Sequence, residues 1–469
     1  MLDSTKDKVK DYIRRTINER EKVNEEKLTQ IHSALSVIQD TLTVVQDSIN
    51  VNNDKYVELS KLCHEVKSEM YHESDLNVYH FRDGSGADLE RLQMIAASNK
   101  RKILICGNYG DINFGDELML NTVLQYVSGD DSVSVTVMTV PNRQYDVVSL
   151  KGATVIHFPS SYADIPLIAG VFDAIVFAGG AVIEDRFYHD DKFGIPLCRV
   201  FSDLASEALY LKKKVYCLGL SSTNEPLMYP AYKKKLQFII DHADVFTLRD
   251  KYSKAFLSDN QIDTGKVQVV SDIAYANQIV NSHHAVGSTD VKKIGIILLC
   301  YEKPVTLLTR LINDAHSKYG RDVDISFIPF YEGKERDYQF YQEFVRNASN
   351  EHLKVYPFTN DVDTVCAEMC EQDVIVSSRY HGSLMAMMMN IPCITVLKDN
   401  HPHYENKIRY LMEQFGKTID DCYPESELLD IGHENLFDRI VTADDSYRTA
   451  LKDAAENEME KVMAGVKEY

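Results

Sequence analysis

The stretch Asp373-Val374-Ile375-Val376-Ser377-Ser378-Arg379-Tyr380-His381-Gly382-Ser383 joins a short apolar run to groups that can do chemistry. Arg379 is a permanent cation suited to bidentate contact with a carboxylate or phosphate, and His381 carries a proton near neutral pH. Asp373–Val376 is β-branched and apolar, as a parallel strand covered on both faces is. Ser377 and Ser378 end the run, and Gly382 lets the backbone turn or approach a ligand closely. Leu384-Met385-Ala386-Met387-Met388-Met389 then reads as a buried helix. Ligands of open α/β sheets sit outside the carboxyl ends of the strands, often against a helix N-terminus. Arg379 and His381 stand at such a place. Arg379 in a structural salt bridge, with His381 capping the helix, explains the same pattern.

A second constellation lies far upstream. Gly107-Asn108-Tyr109-Gly110-Asp111-Ile112-Asn113-Phe114-Gly115-Asp116-Glu117 follows a buried strand and precedes a helix. The context suits a phosphate or sugar cradle, with backbone N–H groups aimed at an anion. It is neither the dinucleotide fingerprint nor a Walker loop, since no Gly-Lys-Ser/Thr follows. Asp116 as an N-cap, and Asn108 and Asn113 in left-handed turns, is the structural alternative. Gly179 and Gly180 also follow a buried strand, ahead of the charged stretch Glu184–Lys192, whose default is a solvated face. Arg249 and Asp272 stand at the carboxyl ends of two further strands. No nucleophile elbow and no His-Glu-x-x-His occurs.

The elements that position these groups alternate between strand and helix. Strands are predicted at 102–106, 133–140, 154–158, 174–178, 213–218, 245–248 and 267–270, with helices including 117–127 and 196–212. A polar break at 281–291 precedes a second series at 293–300, 324–329, 353–356, 373–377 and 392–397. The fold class is therefore α/β, with two doubly wound Rossmann-like domains facing a cleft, at 101–280 and 281–432. Residues 433–469 read as an acidic helical segment that runs back across the domains or trails into solvent. Residues 72–100 read as a linker with a loop signal at Arg82–Asp88 and a short helix at 89–97. Before it, at 1–71, comes a long helix. Leu28, Ile31, Leu35, Ile38, Leu42, Val45 and Ile49 form a heptad seam that continues through Tyr56, Leu59, Cys63, Val66 and Met70. Such a narrow stripe points to a coiled coil and a homo-oligomer through residues 4–70. Asn24 and Asn52 fall on the seam, where polar residues can set register.

The 469 residues carry a formal net charge of −20, which argues against broad nucleic-acid binding. No apolar run reaches the roughly 18 residues of a membrane span, and the N-terminus has no apolar signal core. The nine cysteines are scattered, and Cys366 and Cys370 lack a second ligand pair, so neither zinc nor another metal is expected. An odd, unpatterned set suits a reducing, cytoplasmic setting.

The motifs in their order resemble those of the polysaccharide pyruvyltransferase family, over about Lys102 to Lys417. The resemblance rests on Gly107-Asn-Tyr-Gly-x-x-Asn113-Phe-Gly-Asp116, on Gly179-Gly180, and on Arg249 in Leu-Arg-Asp-x-x-Ser. It rests also on Asp272 in Ser-Asp-Ile-Ala, on Ser378-Arg-Tyr-His-Gly382, and on Lys407 in His-Tyr-Glu-Asn-Lys-Ile-Arg-Tyr-Leu. Tyr380 stands where that family often has Leu. The resemblance implies a fold like that of two-domain, GT-B-like glycosyltransferases. It also implies transfer of pyruvate from phosphoenolpyruvate to two hydroxyls of a sugar, giving a cyclic ketal, with no further cofactor. His381 and Arg379 would then be the catalytic pair. Arg249, Gly107, Asn108, Gly110, Asn113, Asp116, Gly179, Gly180, Asp272, Ser378, Gly382 and Lys407 would bind substrate. The acceptor would be a lipid-linked or nucleotide-linked saccharide for a cell-surface polysaccharide. A lipid-linked acceptor would bring the protein to the inner face of the membrane as a peripheral visitor. Two other functions fit the same architecture: a nucleotide-sugar-dependent glycosyltransferase, and a non-catalytic coiled-coil scaffold with a sugar-binding body.

Overall fold

The computed structural model describes residues 85–468, apart from 141–149, 151, 160, 187–194, 224, 286–289, 301–302, 333–335, 349, 399–401 and 430–434. The coiled coil expected over residues 4–70, the oligomer it would form, and the charged loop beyond 186 lie outside the described residues. The described residues belong to one compact unit, Phe81–Tyr469. It opens with the helix Ser85–Ala96. Ser85 to Asp88, expected in a loop, begin that helix instead. Asp88 lies in its first turn, where a carboxylate favours the helix start, and Arg91 donates to it one turn on at 3.0 Å.

Two parallel sheets follow. The first contains β1 (Arg101–Cys106), β2 (Val133–Thr139), β3 (Thr154–His157), β4 (Ala174–Ala178), β5 (Lys214–Leu220), β6 (Val245–Leu248) and β7 (Gln268–Val269), in the order β3-β2-β1-β4-β5-β6-β7. The second contains β8 (Lys293–Ile297), β9 (Asp324–Phe327), β10 (Leu353–Val355), β11 (Val374–Ser377), β12 (Cys393–Leu397) and β13 (Tyr423–Pro424), in the order β10-β9-β8-β11-β12-β13. Each series starts in the middle of its sheet, builds outwards, then returns to the other side. The order therefore reverses between β1 and β4 and again between β8 and β11, and the crevice beyond such a switch point is where ligands bind. β4, β11 and β12 are buried along their whole length, as their unbroken apolar runs predict for strands covered on both faces.

The final helix, Asp445–Lys467, returns to the first domain. Ala455, Met459 and Val462 share a core with Tyr216, Leu218 and Ile273, and Arg101 Nε donates to the Val466 carbonyl at 2.6 Å. That core continues through Phe114 and Leu118 of the first domain into Phe330, Leu384 and Met385 of the second. Burying each such side chain contributes roughly 1.5–3 kcal/mol, so the two domains are fastened along one edge of the crevice. Two doubly wound domains with a returning C-terminal helix form the expected GT-B-like arrangement. No helix among the described residues is long and apolar enough to cross a membrane.

Candidate functional site

The first wall of the crevice is built by the turn after β1. Tyr109 donates its hydroxyl proton to the Ala178 carbonyl at 2.7 Å, and the Gly110 N–H donates to Glu117 at 2.8 Å. Gly110 turns with φ 82°. The other left-handed residue of this turn is Ile112, at φ 57°, and neither Asn108 nor Asn113 takes the left-handed position that was their structural alternative. A β-branched residue there is strained, and its carbonyl is held by the Glu332 N–H at 3.0 Å. Asn113 is extended and caps the helix Phe114–Val127, accepting from the Gly115 N–H at 3.3 Å. Asp116 is therefore not the cap: it lies in the first turn, with its carboxylate in the crevice. Asn108 and Asn113 donate to its Oδ2 at 3.1 and 2.8 Å. Burial pushes the Asp116 carboxyl up to about 6, against the pull of the Asn108 hydrogen bond and the Arg249 and Lys407 charges.

Gly107, Gly179 and Gly180 serve different ends. A Cβ on Gly107 would meet the Tyr109 ring at 2.4 Å, and one on Gly179 would meet Met119 Sδ at 2.1 Å, so both allow close internal packing. Gly180, at φ 82°, faces the crevice, and a Cβ there would sit 4.0 Å from Asp116 Oδ1.

Arg249 extends from the carboxyl end of β6. Its Nη1 donates to Asp272 Oδ2 at 2.8 Å, and its guanidinium lies 4.9 Å from the centre of the Tyr380 ring. Tyr380 thus supplies an aromatic face to a buried cation. Asp272 is fully buried, and its Oδ1 accepts from the Ala274 N–H at 2.9 Å. Burial pushes the Asp272 carboxyl up, but Arg249 and then His381 outweigh it and hold it below the usual carboxylate range.

The second wall begins at Ser377. The helix Tyr380–Met388 starts earlier than the sequence suggested, so His381 and Gly382 lie in its first turn. Gly382 serves internal packing rather than a ligand: a Cβ there would meet Ser377 Oγ at 2.5 Å and Ile297 Cγ2 at 3.0 Å. Ser378 Oγ accepts from the Leu299 N–H at 2.8 Å. His381 lies against the start of the helix Phe114–Val127, and a Cβ on Gly115 would come within 2.0 Å of its Nδ1. Its Nε2 is buried without a hydrogen-bond partner among the described residues, as is Arg249 Nε. Burial lowers the imidazole to about 4; Asp272 favours the protonated form, while Arg249 and Lys407 oppose it. Lys407, half-buried on the helix Pro402–Gln414, completes the group. Burial, and then the Arg249 charge, lower its ammonium to about 7 against the pull of Asp250, Asp116 and Asp272.

The crevice thus brings together Asp116, Arg249, Asp272, His381 and Lys407. Arg379 is engaged differently. Its Nη2 donates to Asp337 Oδ1 and Oδ2, both at 2.9 Å, and its Nε donates to the Leu298 carbonyl at 3.1 Å. Asp337, the first residue of the helix Asp337–Ala348, was not among the residues the sequence singled out. Among the described residues no cluster of three or more His, Cys, Asp or Glu has the arrangement to hold a metal ion. A half-buried ammonium, a buried guanidinium and an imidazole with its Nε2 buried, around two carboxylates, can bind a small anion and move protons beside it.

No curated protein matches the chain. Among solved structures, UDP-GlcNAc 2-epimerase of Neisseria meningitidis, bound to UDP-GlcNAc, is 12% identical and covers 77% of this chain and 100% of its own, with a TM-score of 0.48. The Methanocaldococcus jannaschii UDP-GlcNAc 2-epimerase is 15% identical over 78% of this chain and 100% of its own, at a TM-score of 0.45. The Rickettsia bellii UDP-N-acetylglucosamine 2-epimerase is 12% identical over 78% and 97%, at 0.47. At these identities and scores the likeness bears on neither substrate nor reaction. The family model for polysaccharide pyruvyl transferases matches residues 113–400, more than half of the chain, reaching from the helix that carries Asp116 past the turn that carries His381; the chain belongs to that family.

Proposed function

We propose that the protein transfers pyruvate from phosphoenolpyruvate onto two hydroxyls of one sugar, giving a cyclic ketal, in the biosynthesis of a cell-surface polysaccharide. The observation that supports this most is the meeting of Arg249 and Lys407 with His381 and Asp116 beyond the carboxyl ends of strands from both sheets. Phosphoenolpyruvate carries a carboxylate and a phosphate, and Arg249 and Lys407 are the cations that meet them. Arg379, tied to Asp337 and Leu298, anchors the wall from which His381 projects. His381 is neutral before the donor arrives. The negative charge of the donor raises its basicity, and the imidazolium gives its proton to the methylene carbon, making the central carbon electrophilic. A sugar hydroxyl forms a bond to that carbon and gives its proton to Asp116. The bond to the phosphate oxygen breaks, and phosphate leaves with the electron pair. The second hydroxyl then closes the ring. Of the two hydroxyl protons released, one balances that taken up by the new methyl group and the other leaves on phosphate.

The acceptor is a lipid-linked or nucleotide-linked saccharide, and the protein works at the cytoplasmic side, visiting the membrane surface where the acceptor is lipid-linked. A thermal-shift titration with phosphoenolpyruvate tests donor binding. At about a hundred times its dissociation constant the donor stabilises the fold by about 2.7 kcal/mol. Release of inorganic phosphate that depends on both donor and a saccharide acceptor tests turnover. Absence of both responses in the intact protein overturns the proposal.

A further inference from the structure

We infer that Asp337 is a positioning residue for His381, acting across the junction of the two α/β domains. The inference rests on the proposed proton-transfer role of His381, but the geometry that carries it does not. Asp337 is the first residue of the helix Asp337–Ala348, and its side chain is completely buried. Besides the two bonds from Arg379 Nη2, its Oδ2 accepts from the N–H groups of Phe330 and Tyr331 at 3.1 and 3.0 Å. One carboxylate therefore gathers a guanidinium and two backbone donors.

The segment it gathers is the one that crosses to the first domain. The Phe330 carbonyl accepts from the Phe114 N–H at 2.8 Å, and Asn113 and Tyr331 form an antiparallel bridge. The rings of Phe114 and Phe330 lie 4.7 Å apart, and Tyr331 donates its hydroxyl proton to Asp111 at 2.9 Å. Phe114 opens the helix whose second residue, Gly115, packs against His381 Nδ1. His381 follows Arg379 by two positions. The contacts close a ring: Arg379, Asp337, Phe330 and Tyr331, Asn113 to Gly115, then His381. Both sides of the slot that holds the imidazole are thus referred to the same carboxylate. A charged, buried carboxylate surrounded by donors is a stiff reference point, because any displacement leaves a donor or a charge unmatched.

Asp337→Asn tests this while keeping the shape. Either orientation of the amide turns an NH2 group towards a donor, so the ring loosens without losing its core. Two readouts apply. The first is independent of turnover: the rate at which diethyl pyrocarbonate modifies His381, read by mass spectrometry against the more exposed His352. In the wild type the His381 side chain is 13% exposed and that of His352 is 34% exposed. The expected result is a rise of at least fivefold in the His381 to His352 ratio; an unchanged ratio in a folded variant overturns the inference. The second is a split in kinetics. The expected result is a fall in kcat of at least tenfold with the dissociation constant of phosphoenolpyruvate changed less than threefold. A loss carried wholly by donor affinity overturns it. Should Asp337→Asn fail to fold, Phe330→Leu removes the ring contact at the other end of the same path and is expected to raise the same ratio. A wild type that neither binds phosphoenolpyruvate nor turns over removes the proposed function, while the modification ratio still decides whether Asp337 places His381.

Discussion

Asp272 Oδ2 lies 3.8 Å from His381 Nε2, too far for a hydrogen bond, while it holds Arg249 Nη1 at 2.8 Å. One buried carboxylate thus serves a cation directly and an imidazole through its field. It is the charge that favours the protonated imidazole where Arg249 and Lys407 disfavour it. Asp272→Asn keeps the bond to the Ala274 N–H but leaves the buried guanidinium without its counter-charge. Removing one partner of a buried pair costs about 3–5 kcal/mol. The expected outcome is an unfolding free energy, read by denaturant titration, lowered by about that amount, with turnover lost in the protein that still folds.

Gly115→Ala separates site geometry from stability. In a helix, alanine is ordinarily favoured over glycine by roughly 0.5–1 kcal/mol. Here the new Cβ would stand 2.0 Å from His381 Nδ1, so the imidazole or the helix start must move. A turnover fall of at least about a hundredfold is expected, since misplacement of a catalytic group by an ångström carries a cost of that order. The steady-state kcat measures it, and the thermal midpoint checks that the fold survives.

Most strands were legible because their signal is local. Residues 374–376 and Ala174–Ala178 are apolar runs rich in β-branched residues, bounded by polar residues or glycine, and too short for a buried helix, which periodicity alone could not have told apart from them. β13, with its two residues Tyr423 and Pro424, carries no periodicity and exists only through its pairing with β12. The site was legible where chemistry and position coincide, as for Arg249, Asp272 and His381 at strand ends. The cap was not: Asn113 and Asp116 are both good caps, and only the extended backbone of Asn113 decides between them. Nor could the sequence link Arg379 to Asp337, since the pair is made by tertiary contact between a turn after β11 and a helix after β9. Gly382 reads in the sequence as a turn or a close approach to a ligand for the same reason, its neighbours Ser377 and Ile297 being visible only once the strands are packed.

For the proposed donor, Lys407 predicts a pH dependence of binding in a definite direction. Its ammonium, lowered to about 7, is charged below that pH and neutral above it. Binding of an anion favours the charged form, so affinity is full below pH 7 and weakens as pH rises, by at most tenfold per unit. Titration calorimetry with phosphoenolpyruvate between pH 6 and 9 reads the slope, and repetition in buffers of different ionisation enthalpy is expected to show proton uptake at pH 7.5. In Lys407→Met the slope flattens and the affinity at pH 6 falls.

Asp116 sets the opposite limb. Its carboxyl, raised to about 6 by burial, must be ionised to take a hydroxyl proton, so the proposed reaction rises with pH through about 6. A folded-state value above that of the unfolded chain also means the folded protein binds the extra proton between about 4 and 6. That contribution to stability is therefore full at low pH and is lost as pH rises through 6. Asp116→Asn removes both effects: kcat falls at least about a hundredfold, within the usual range for general base catalysis, and the acid limb of its pH dependence disappears. Donor affinity moves the other way, because the Arg249 and Lys407 charges lose an opposing carboxylate and are freer to hold the anion. A variant with low turnover and tighter phosphoenolpyruvate binding is the expected signature, read from phosphate release and calorimetry on the same preparation. Weaker binding together with an unchanged acid limb would assign the proton to another group.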